Sequence, residues 1–555
     1  MDQPFSAVTR RADLDAFATE AFDLLVVGGG VTGAGIARDA AMRGIQTALV
    51  DAGDFGRGTS SRSSCLVHGG LRYLEHGWLR LVFESSRERA VLLRIAPHLV
   101  HPAPFVFPVH RGSRVGRLTL EAGLWLYDAL SLFRNVGRHR GLDRKAVMRL
   151  EPSLRDQDLV GGAIYYDAQC DDARLALATV RSAHRHGARA ASYVAATGFE
   201  KAGGRIRGAR LEDRLDGTRL TVHARIVVNA TGPWTDTVRL LDEPRAKPLL
   251  RPTKGAHVAV PRRRLGHEQA FTLTSPLDGR VMFVLPWGDL SVIGTTDTDV
   301  NEVQEEPLAD ASDVAYLLRS ANALFPAARL TFDDVVCAWA GLRPLLDAPG
   351  AASAAAVPRE HRIVEGPSGL LTIAGGKLTT YRSMAAEVVD GVARRLRALD
   401  GRSVPRHAPT DQEPLPGGEV GDLGLLARDL VEEGVDETMA AALVRRYGTE
   451  AAAVANLAHR EPSLAVPLAP GLPVLAAEVV HQARREMAMT VDDVLVRRTP
   501  LFRSHPAQAT DAAPAVAGLL GRELGWTDAE RETQVAAYRA AAARMRQAIT
   551  PEPPV

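Results

Sequence analysis

Cysteine is scarce in this chain of 555 residues. Its three copies, Cys65, Cys170 and Cys337, lie far apart and form no CxxC pair. This spacing excludes a disulfide framework and a cysteine-based metal site, and it is typical of proteins in a reducing cytosol. We therefore expect a cytoplasmic protein that holds no metal ion.

A charge excess of one sign and long apolar runs are also absent. The formal net charge is +1, with 46% hydrophobic and 24% charged residues. Such a balanced chain offers no long-range field for nucleic acid, so nucleic-acid binding is not expected. No window approaches the ~18 uninterrupted apolar residues of a membrane-spanning helix. The N-terminus lacks a signal-peptide pattern, and the length predicts a globular protein of two or more domains.

The strongest motif lies near the N-terminus. Residues 22–27 (FDLLVV) predict a short buried strand, which runs into the glycine-rich turn 28–33 (GGGVTG). A helix pattern follows and ends at Gly44, and a second strand then ends at Asp51. This order of strand, glycine turn, helix, strand and acid is typical of a dinucleotide-binding unit.

Each position of this motif has a physical role. Gly28 permits the tight turn, and Gly30 lets the backbone approach a pyrophosphate at the helix N-terminus. Thr32 lies in the same turn, and Gly33 allows the helix and strand to pack closely. Asp51 follows Gly33 by 18 residues and can accept hydrogen bonds from a ribose. A glycine turn that binds nothing is the alternative, which the complete flanking pattern disfavours.

A hydroxyl-rich stretch follows the second strand. Residues 59–64 (TSSRSS) precede a His-Gly-Gly sequence and then an Arg-Tyr pair. Ligands bind at the carboxyl ends of the strands in such folds, so we expect this loop to donate hydrogen bonds to phosphates or to a flavin ring. A solvated serine loop is the alternative. The candidate cofactor contacts here are Thr59, Ser60, Ser61, Ser63, Ser64, His68 and Gly69.

Two further strand-to-glycine junctions favour a flavin over a nicotinamide. They are 224–236 (ARIVVNATGPWTD) and 369–385 (GLLTIAGGKLTTYRSMA), the second of which leads into a predicted helix near Leu378 or Thr379. Repeated junctions of this kind indicate one large cofactor that several parts of the chain contact. The further candidate contacts are Val194, Thr231, Gly232, Gly376, Lys377, Leu378 and Thr379.

At this point the sequence resembles a known family, the FAD-dependent glycerol-3-phosphate dehydrogenases, which are aerobic, quinone-linked members of the D-amino-acid-oxidase-like flavoproteins. The matching motifs occur in the family's order over roughly residues 20–385. They are GGGVTGAGIARDAAMRG, TSSRSS, LVHGGLRYLEHG, ERAVLLRIAPHLV, DDARL, NATGPW, KGAHV, GTTDTD, AGLRPL and GGKLTTYR. Residues 483–499 (ARREMAMTVDDVLVRRT) resemble the family's C-terminal helical domain.

The resemblance implies an α/β fold with three parts. An FAD-binding Rossmann-like domain and an antiparallel β substrate-capping domain are expected within residues 1–398, and an all-α domain follows. The Pro- and Gly-rich stretch 399–424 predicts a linker. The expected segments are about 20–80, 160–255 and 335–398 for FAD binding, 81–159 and 256–334 for the cap, and 425–550 for the helical domain.

The resemblance also implies a reaction. sn-Glycerol 3-phosphate is oxidised at C2 to dihydroxyacetone phosphate, FAD accepts the hydride, and membrane quinone receives the electrons. Three alternatives stay open: an oxidase that uses oxygen, a flavoenzyme for another small substrate such as an amino acid, and a non-catalytic flavin-binding regulator. The amphipathic segment LTLEAGLWLYDALSLF is either core or a peripheral contact with the cytoplasmic face of the membrane. A homodimer is a further open alternative.

Arginines are the natural ligands for the substrate phosphate. Arg343, in AGLRPL, matches the family's phosphate ligand, and a structural ion pair is the alternative. Arg359 matches a second ligand, with Arg362 as its rival. Arg72 falls where the family places a substrate-side arginine, and the hydroxyl of Tyr73 either contacts substrate or packs.

Two residues are candidates for proton transfer and charge stabilisation. His257, in KGAHVAV, lies on a predicted strand and suits general-base catalysis. Lys377 is one of only five lysines, and it could stabilise negative charge on reduced flavin or on the substrate alkoxide. Lys254 matches the family pattern without a sharper role. Many relatives carry a lysine where this chain has Cys65, which predicts that a cation near the flavin is missing.

Overall fold

The computed structural model describes residues 4–132, 135–347 and 359–551. It confirms the expected α/β architecture with a helical C-terminal part. The strands, in chain order, are β1 (Ala21–Val27), β2 (Thr47–Val50), β3 (Leu66–Val67), β4 (Val100–His110), β5 (Arg140–Asp143), β6 (Leu159–Cys170), β7 (Arg189–Ala191), β8 (Val194–Ala202), β9 (Arg205–Asp213), β10 (Arg219–Asn229), β11 (Leu250–Pro261), β12 (Ala270–Thr274), β13 (Val281–Trp287), β14 (Leu290–Gly294), β15 (Thr298–Asp299), β16 (Cys337–Leu346), β17 (His361–Glu365) and β18 (Leu371–Gly375).

Helices connect and cover these strands. In chain order they are α1 (Ala7–Thr19), α2 (Val31–Met42), α3 (Leu79–Ile95), α4 (Arg117–Leu130), α5 (Arg144–Leu150), α6 (Asp172–Arg185), α7 (Thr235–Asp242), α8 (Arg262–Leu265), α9 (Ala311–Leu324), α10 (Tyr381–Asp400), α11 (Leu423–Glu432), α12 (Glu437–Tyr447), α13 (Ala451–Arg460), α14 (Ala476–Arg485), α15 (Leu501–Ser504), α16 (Ala513–Leu524) and α17 (Asp528–Ile549). None of the described helices is both long and apolar enough to cross a bilayer.

The first sheet carries the dinucleotide-binding unit. Its main strand order is β17-β18-β10-β1-β2-β7, with β9 on β10 and β8 on β9. β1 runs parallel to both β10 and β2, and it is buried along almost its whole length. A strand with both faces covered reads as a continuous apolar run, which is why FDLLVV shows no alternation. Helices α2, α6 and α10 share a core cluster with this sheet.

The second sheet has the order β15-β11-β14-β13-β12-β4-β6-β3, with β16 on β11 and β5 on β6. Most of its pairs are antiparallel, as expected for the cap. Successive side chains of β11 point to opposite faces. Ala256 and Val258 therefore pack in the core beside α9, while Gly255 and His257 face the other side of the sheet.

Sheet membership differs from the expected segment boundaries. β6 begins near residue 160 and β16 near residue 337, and both were expected in the cofactor-binding segments. Both strands instead pair within the second sheet, β6 with β4 and β16 with β11. Local sequence pattern could not assign these two strands to a sheet, because the apolar sequence of a buried strand does not indicate which sheet the strand joins.

The C-terminal helices are tied firmly to the first sheet's domain. Asp54 is fully buried and forms ion pairs with Arg497 and Arg498. Arg174 of α6 similarly pairs with Glu486, with an Nη2–Oε1 distance of 2.5 Å. Buried pairs of this kind are costly to break, so the helical domain is a fixed part of the molecule.

The stretch predicted to be a linker is also packed. Arg38 of α2 donates hydrogen bonds to the carbonyl groups of Thr410 and Glu413. Leu415 is fully buried beside α3 and α6. The stretch has no helix or strand between Asp400 and Leu423, but these contacts hold it against the protein.

Candidate active site

A large cleft opens where four strands of the first sheet end. It follows directly on the ends of β1, β2, β10 and β18. Thirteen of the predicted cofactor contacts line it: Gly28, Gly30, Thr32, Asp51, Thr59, Ser60, Ser63, Val194, Thr231, Gly232, Gly376, Lys377 and Leu378. Residues from five separate parts of the chain therefore converge on one site.

The glycine turn has the geometry that its spacing predicts. Gly28 has φ +107°, and a Cβ atom there would lie 2.6 Å from the carbonyl oxygen of Ala230. Gly33 does not line the cleft, and a Cβ atom there would lie 1.8 Å from the carbonyl oxygen of Gly28. Both glycines let α2 begin close to the ends of β1 and β10.

Asp51 lies beside the turn as expected. Its carboxylate accepts hydrogen bonds from the backbone N–H groups of Gly29 (2.6 Å) and Gly53 (2.9 Å). Burial raises the pKa of Asp51 to about 6. A carboxylate fixed in this way retains lone pairs for the hydroxyl groups of a ribose.

The hydroxyl-rich loop binds mainly to the protein itself. Ser60 Oγ accepts a hydrogen bond from the first N–H of α2, and Thr59 Oγ1 donates to the Leu342 carbonyl. Ser63 Oγ donates to Asp172, and Ser64 Oγ bonds His257. These contacts explain the residue composition of the loop, which joins the two sheets beside the cleft. Among its hydroxyl residues, Ser61 and Ser64 do not line the cleft.

His257 is the buried centre of a second cluster. Its Nε2 lies 2.9 Å from Ser64 Oγ, and its ring stacks on Trp339 with a centroid distance of 5.2 Å and an interplanar angle of 11°. Nδ1 is buried and has no hydrogen-bond partner among the described residues. Burial, reinforced by the positive charges of Arg343 and Arg503, lowers the pKa of His257 to about 3. The imidazole is therefore neutral at pH 7.

Arg343 extends from β16 across β11. Its guanidinium donates hydrogen bonds to Asp297 Oδ1 (3.1 Å) and Thr295 Oγ1 (2.8 Å). A Cβ atom on Gly255 would lie 2.2 Å from Arg343 Nη2, so glycine is required there for this side-chain position. Burial lowers the pKa of Arg343 to about 10, and the group stays cationic.

Arg359 lies near the other predicted substrate residues. Burial lowers the pKa of Arg359, and neighbouring Tyr73 partly offsets that effect. The positive charge of Arg72 lowers the pKa further. Its Nη1 atom is buried without a hydrogen-bond partner among the described residues. Its rival Arg362 instead lies exposed on β17, away from this group. The guanidinium of Arg72 lies 5.7 Å from the ring centroid of Tyr73.

Lys377 joins this cluster to the cleft. Its ammonium group donates hydrogen bonds to the His68 carbonyl and to Ser85 Oγ, and it lies 5.1 Å from the Tyr73 ring centroid. Burial lowers the pKa of Lys377 to about 7. Thr379, which lies in the same turn as Lys377, forms hydrogen bonds with the backbone of His68. Neither Thr379 nor His68 lines the cleft.

A buried polar network supports the His-Gly-Gly turn. The Gly69 N–H donates to Asp167 Oδ1 (2.9 Å), and the Tyr127 hydroxyl donates to the same oxygen (2.7 Å). Arg89 forms an ion pair with Asp167 and donates to Tyr127. Gly69 thus serves to hold the turn and does not line the cleft.

Two side chains near this cluster have partners that the sequence did not predict. Nη1 of Arg503 lies 3.0 Å from Cys65 Sγ, so the region around Cys65 holds a cation, although neither residue lines the cleft. Lys254, to which no catalytic role was assigned, points to the opposite face of β11 from His257 and pairs with Asp310 and Asp313 beside α9. The contact of Arg503 was beyond sequence reasoning, because Arg503 comes from the C-terminal domain and only the folded chain brings it here.

Asp297 belongs to the motif GTTDTD and pairs with Arg343. Trp339 was missed as a member of the cluster, because its place beside His257 depends on the pairing of β16 with β11. No group of three or more acidic, histidine or cysteine side chains in the described part of the chain could hold a metal ion.

The cleft fits FAD. The Gly28 turn leaves room for a pyrophosphate beside the N-terminus of α2, and Asp51 is fixed where a ribose would follow. The junctions at Thr231 and Gly376 line the same elongated cleft, as a cofactor larger than a mononucleotide requires. The residues present therefore match the cofactor predicted from the sequence.

Comparisons with known proteins agree with this geometry. Residues 23–382 match the model of the FAD-dependent oxidoreductase family, and residues 408–531 match the C-terminal domain of alpha-glycerophosphate oxidase. Glycerol-3-phosphate dehydrogenase 2 of Mycobacterium tuberculosis is 38% identical over 94% of this chain and 88% of its own length. The human mitochondrial glycerol-3-phosphate dehydrogenase is 36% identical over 94% and 73%.

A solved structure is similar over the whole chain. The glycerol-3-phosphate dehydrogenase from Bacillus halodurans, complexed with FAD, has a TM-score of 0.81 and 33% identity, covering 99% of this chain and 100% of the other. The similarity extends through both the catalytic region and the helical C-terminal domain. The chain therefore belongs to the FAD-dependent glycerol-3-phosphate dehydrogenase family.

Proposed function

We propose that this protein oxidises sn-glycerol 3-phosphate to dihydroxyacetone phosphate with FAD as hydride acceptor, and that a membrane quinone receives the electrons. The observation that carries the proposal is the convergence of partly buried arginines with a buried, neutral histidine next to the cofactor cleft. Neither a non-catalytic regulator nor a nucleotide-binding module needs such a group.

Arg343 and Arg359 are the proposed ligands of the substrate phosphate. Both are partly buried cations near each other and near Arg72, and this arrangement disfavours their positive charges until an anion binds. The unpartnered Nη1 of Arg359 supports a missing acceptor at this place. A phosphate dianion satisfies several guanidinium N–H groups at once, which a single carboxylate does less well.

His257 is the proposed acceptor of the proton from the C2 hydroxyl. Its imidazole is neutral at pH 7, as a base must be, and Ser64 fixes the orientation of the ring. Lys377 is the proposed stabiliser of the negative charge that develops on the substrate oxygen, a role that a buried ammonium performs well. Arg72 and Tyr73 are proposed to hold the substrate beside these two groups.

The cofactor is proposed to lie along the cleft, held by the Gly28 turn, Asp51, and the junctions at Thr231 and Gly376. When bound, FAD supplies the acceptor for the hydride that leaves C2. The protein residues then have three tasks: they bind the phosphate, orient C2 and receive the hydroxyl proton.

A surface next to the substrate site supports membrane docking. We call it the apolar surface, and it consists of Phe83, Leu118, Trp125 and Leu126 on α3 and α4. Leu118 is 84% exposed and Trp125 is 55% exposed. Arg117 begins α4, and Arg114, which pairs with Glu75, lies just before it. Cations beside apolar groups suit an anionic lipid surface. Both helices contact the turn that carries Arg72 and Tyr73.

From this surface we propose that the protein acts at the cytoplasmic face of the membrane, without spanning it. The apolar surface would then bring quinone close to the substrate-side turn. Flotation of the protein with liposomes that contain anionic lipid tests the idea. Wild type should rise with the liposomes, Trp125→Asp should stay below, and Leu425→Asp, a change at an exposed leucine on α11, should behave as wild type.

The reaction itself is tested by anaerobic titration of the purified yellow protein with sn-glycerol 3-phosphate. Loss of the oxidised flavin band is expected with this substrate but not with glycerol or with amino acids. Rapid reoxidation by a soluble quinone analogue, and slow reoxidation by oxygen, would support the dehydrogenase over the oxidase alternative. A band that persists with substrate but disappears with dithionite would overturn the substrate assignment.

A further inference from the structure

Arg503 brings a cation from the C-terminal domain into the catalytic region. It lies on the short helix α15, and its Nη1 is 3.0 Å from Cys65 Sγ. Its Nη2 donates a hydrogen bond of 2.5 Å to the Ser61 carbonyl and lies 3.6 Å from Asp172 Oδ1. Burial lowers the pKa of Arg503, but Cys65 and Asp172 more than offset that effect, so the guanidinium stays charged.

The same guanidinium reaches His257 through Trp339. Its central carbon lies 4.8 Å from the centroid of the Trp339 ring, within the range of a cation–π interaction. Trp339 in turn stacks almost parallel on His257. The three side chains thus form a contiguous series from α15 through β16 to β11.

A second connection runs through the hydroxyl-rich loop. Arg503 binds Ser61 and Cys65, which flank Ser64 on either side in sequence. Ser64 carries the hydroxyl group that bonds Nε2 of His257. A displacement of Arg503 would therefore disturb both the ring that stacks on the histidine and the hydroxyl that orients it.

We propose that Arg503 is a positioning residue for His257, through which the C-terminal domain controls the geometry and protonation of the catalytic base. The inference rests on the proposed function, because it concerns the step assigned to His257. Arg503 acts through Trp339 and Ser64 and is not proposed to touch substrate.

The charges around His257 determine in which direction its protonation should shift when Arg503 is lost. The strands and loops packed against it contribute Ser64, Gly294 and Trp339, and the charged groups that affect it are Arg343 and Arg503. The nearby carboxylates are engaged elsewhere, Asp172 with Ser63 and Asp297 with Arg343. Removal of a positive charge favours the imidazolium ion, so loss of Arg503 should move the protonation of His257 to higher pH.

The test compares Arg503→Gln and Arg503→Lys in the FAD-loaded, full-length enzyme. Stopped-flow bleaching by sn-glycerol 3-phosphate is measured from pH 3 to 8, a range that includes the pKa of about 3 of His257. For Arg503→Gln we expect roughly ten-fold slower bleaching at saturating substrate. We also expect an acid limb at higher pH than in wild type and an unchanged substrate dissociation constant. Arg503→Lys should keep the wild-type pH profile.

A double variant separates the charge from general stability. Because Cys65 Sγ touches the guanidinium, a lysine at residue 65 can place its ammonium in the same space. Cys65→Lys with Arg503→Met should recover the pH profile that Arg503→Met alone loses. Arg522→Gln, which removes an exposed C-terminal arginine paired with Glu461, serves as the control and should match wild type.

Three results would count against these proposals, and they separate the inference about Arg503 from the proposed function. If bleaching and its pH profile are the same in Arg503→Gln and wild type, the inference about Arg503 is wrong. If wild type itself is not bleached by the substrate at any pH, the proposed function fails instead. Slow bleaching in Arg503→Gln with an unshifted acid limb, unrecovered by the double variant, would reduce Arg503 to a structural residue and also overturn the inference.

Discussion

Nε2 of His257 lies 2.9 Å from Oγ of Ser64, although the two residues are 193 positions apart in the chain. The serine comes from the loop beside the cofactor cleft, and the histidine comes from the second sheet. This hydrogen bond therefore links the loop to the second sheet, and it fixes the orientation of the imidazole ring at Nε2.

Ser64→Ala should slow flavin bleaching by roughly five-fold, because one oriented hydrogen bond contributes about 1 kcal/mol. The substrate dissociation constant should stay constant, since Ser64 is not a proposed substrate ligand. Stopped-flow absorbance measures both quantities. Ser320→Ala is the matched control, because it removes a buried serine–serine hydrogen bond far from the site. Equal rates in Ser64→Ala and wild type would contradict the assigned role of His257.

Arg343→Gln should raise the substrate KM by roughly 10- to 100-fold, since hydrogen bonds to a charged group contribute about 1.5–3 kcal/mol. Steady-state kinetics with a quinone analogue measures the change. Arg251→Gln is the control on the neighbouring strand, where the arginine pairs with the exposed Asp299. A KM that rises equally in both variants would show a general effect of charge and not a phosphate ligand.

Gly255→Ala tests the same site without altering any charge. The added Cβ would lie 2.2 Å from Arg343 Nη2, so the guanidinium must move away from Asp297. We expect a raised KM similar in direction to that of Arg343→Gln, with FAD binding retained. Gly518→Ala on α16 has open space around its Cβ and should leave the kinetics unchanged. Normal kinetics in Gly255→Ala would show that the observed position of Arg343 is not needed.

The pH dependence should distinguish the roles of Lys377 and His257. Burial lowers the pKa of Lys377 to about 7, so its ammonium form predominates below that pH and is lost above it. If the charge stabilises the developing alkoxide, bleaching should slow as pH rises through 7 or above, since anionic substrate raises this pKa. Lys377→Arg should remove this basic limb. A wild-type rate that instead increases through pH 7 would make Lys377 the base.

Asp54→Asn should lower the thermal unfolding midpoint strongly. Loss of one partner from a buried ion pair costs about 3–5 kcal/mol, and Asp54 pairs with two arginines. The two arginines hold the pKa of Asp54 below 3.8 against the effect of burial, so its contribution is present above that pH and is lost only in stronger acid. Asp528→Asn, at an exposed pair with Arg531, should change the midpoint little. Similar midpoints for both variants would contradict a fixed interface.

Local sequence pattern predicted much of the cofactor side. The Gly28 turn, Asp51 and the junctions at Thr231 and Gly376 all line one cleft, because each is defined by a strand and the few residues that follow it. Short-range patterns of this kind can be recognised in a single sequence. The resemblance to a family supplied the substrate side, including Arg343 and His257.

The sequence could not predict contacts that depend on distant pairing. The stacking of His257 on Trp339 requires β11 and β16 to be neighbours, and neither strand encodes its partner. Arg503 was missed for the same reason, since its helix reaches the site only through the packing of the C-terminal domain. The serine loop was predicted as a cofactor contact, whereas most of its hydroxyls also hold the protein together.

The alternation of the chain between the two sheets has a consequence for biosynthesis. The cleft begins with Gly28 and is completed by the junction at Gly376, which leaves the ribosome about 350 residues later, or roughly 20 to 70 s at ordinary rates of translation. β1 lacks β10 until residue 229 has been made, and β10 lacks β18 until residue 375 follows. The nascent chain must therefore keep an incomplete apolar sheet from aggregating, and FAD can enter only after most of the protein has been made.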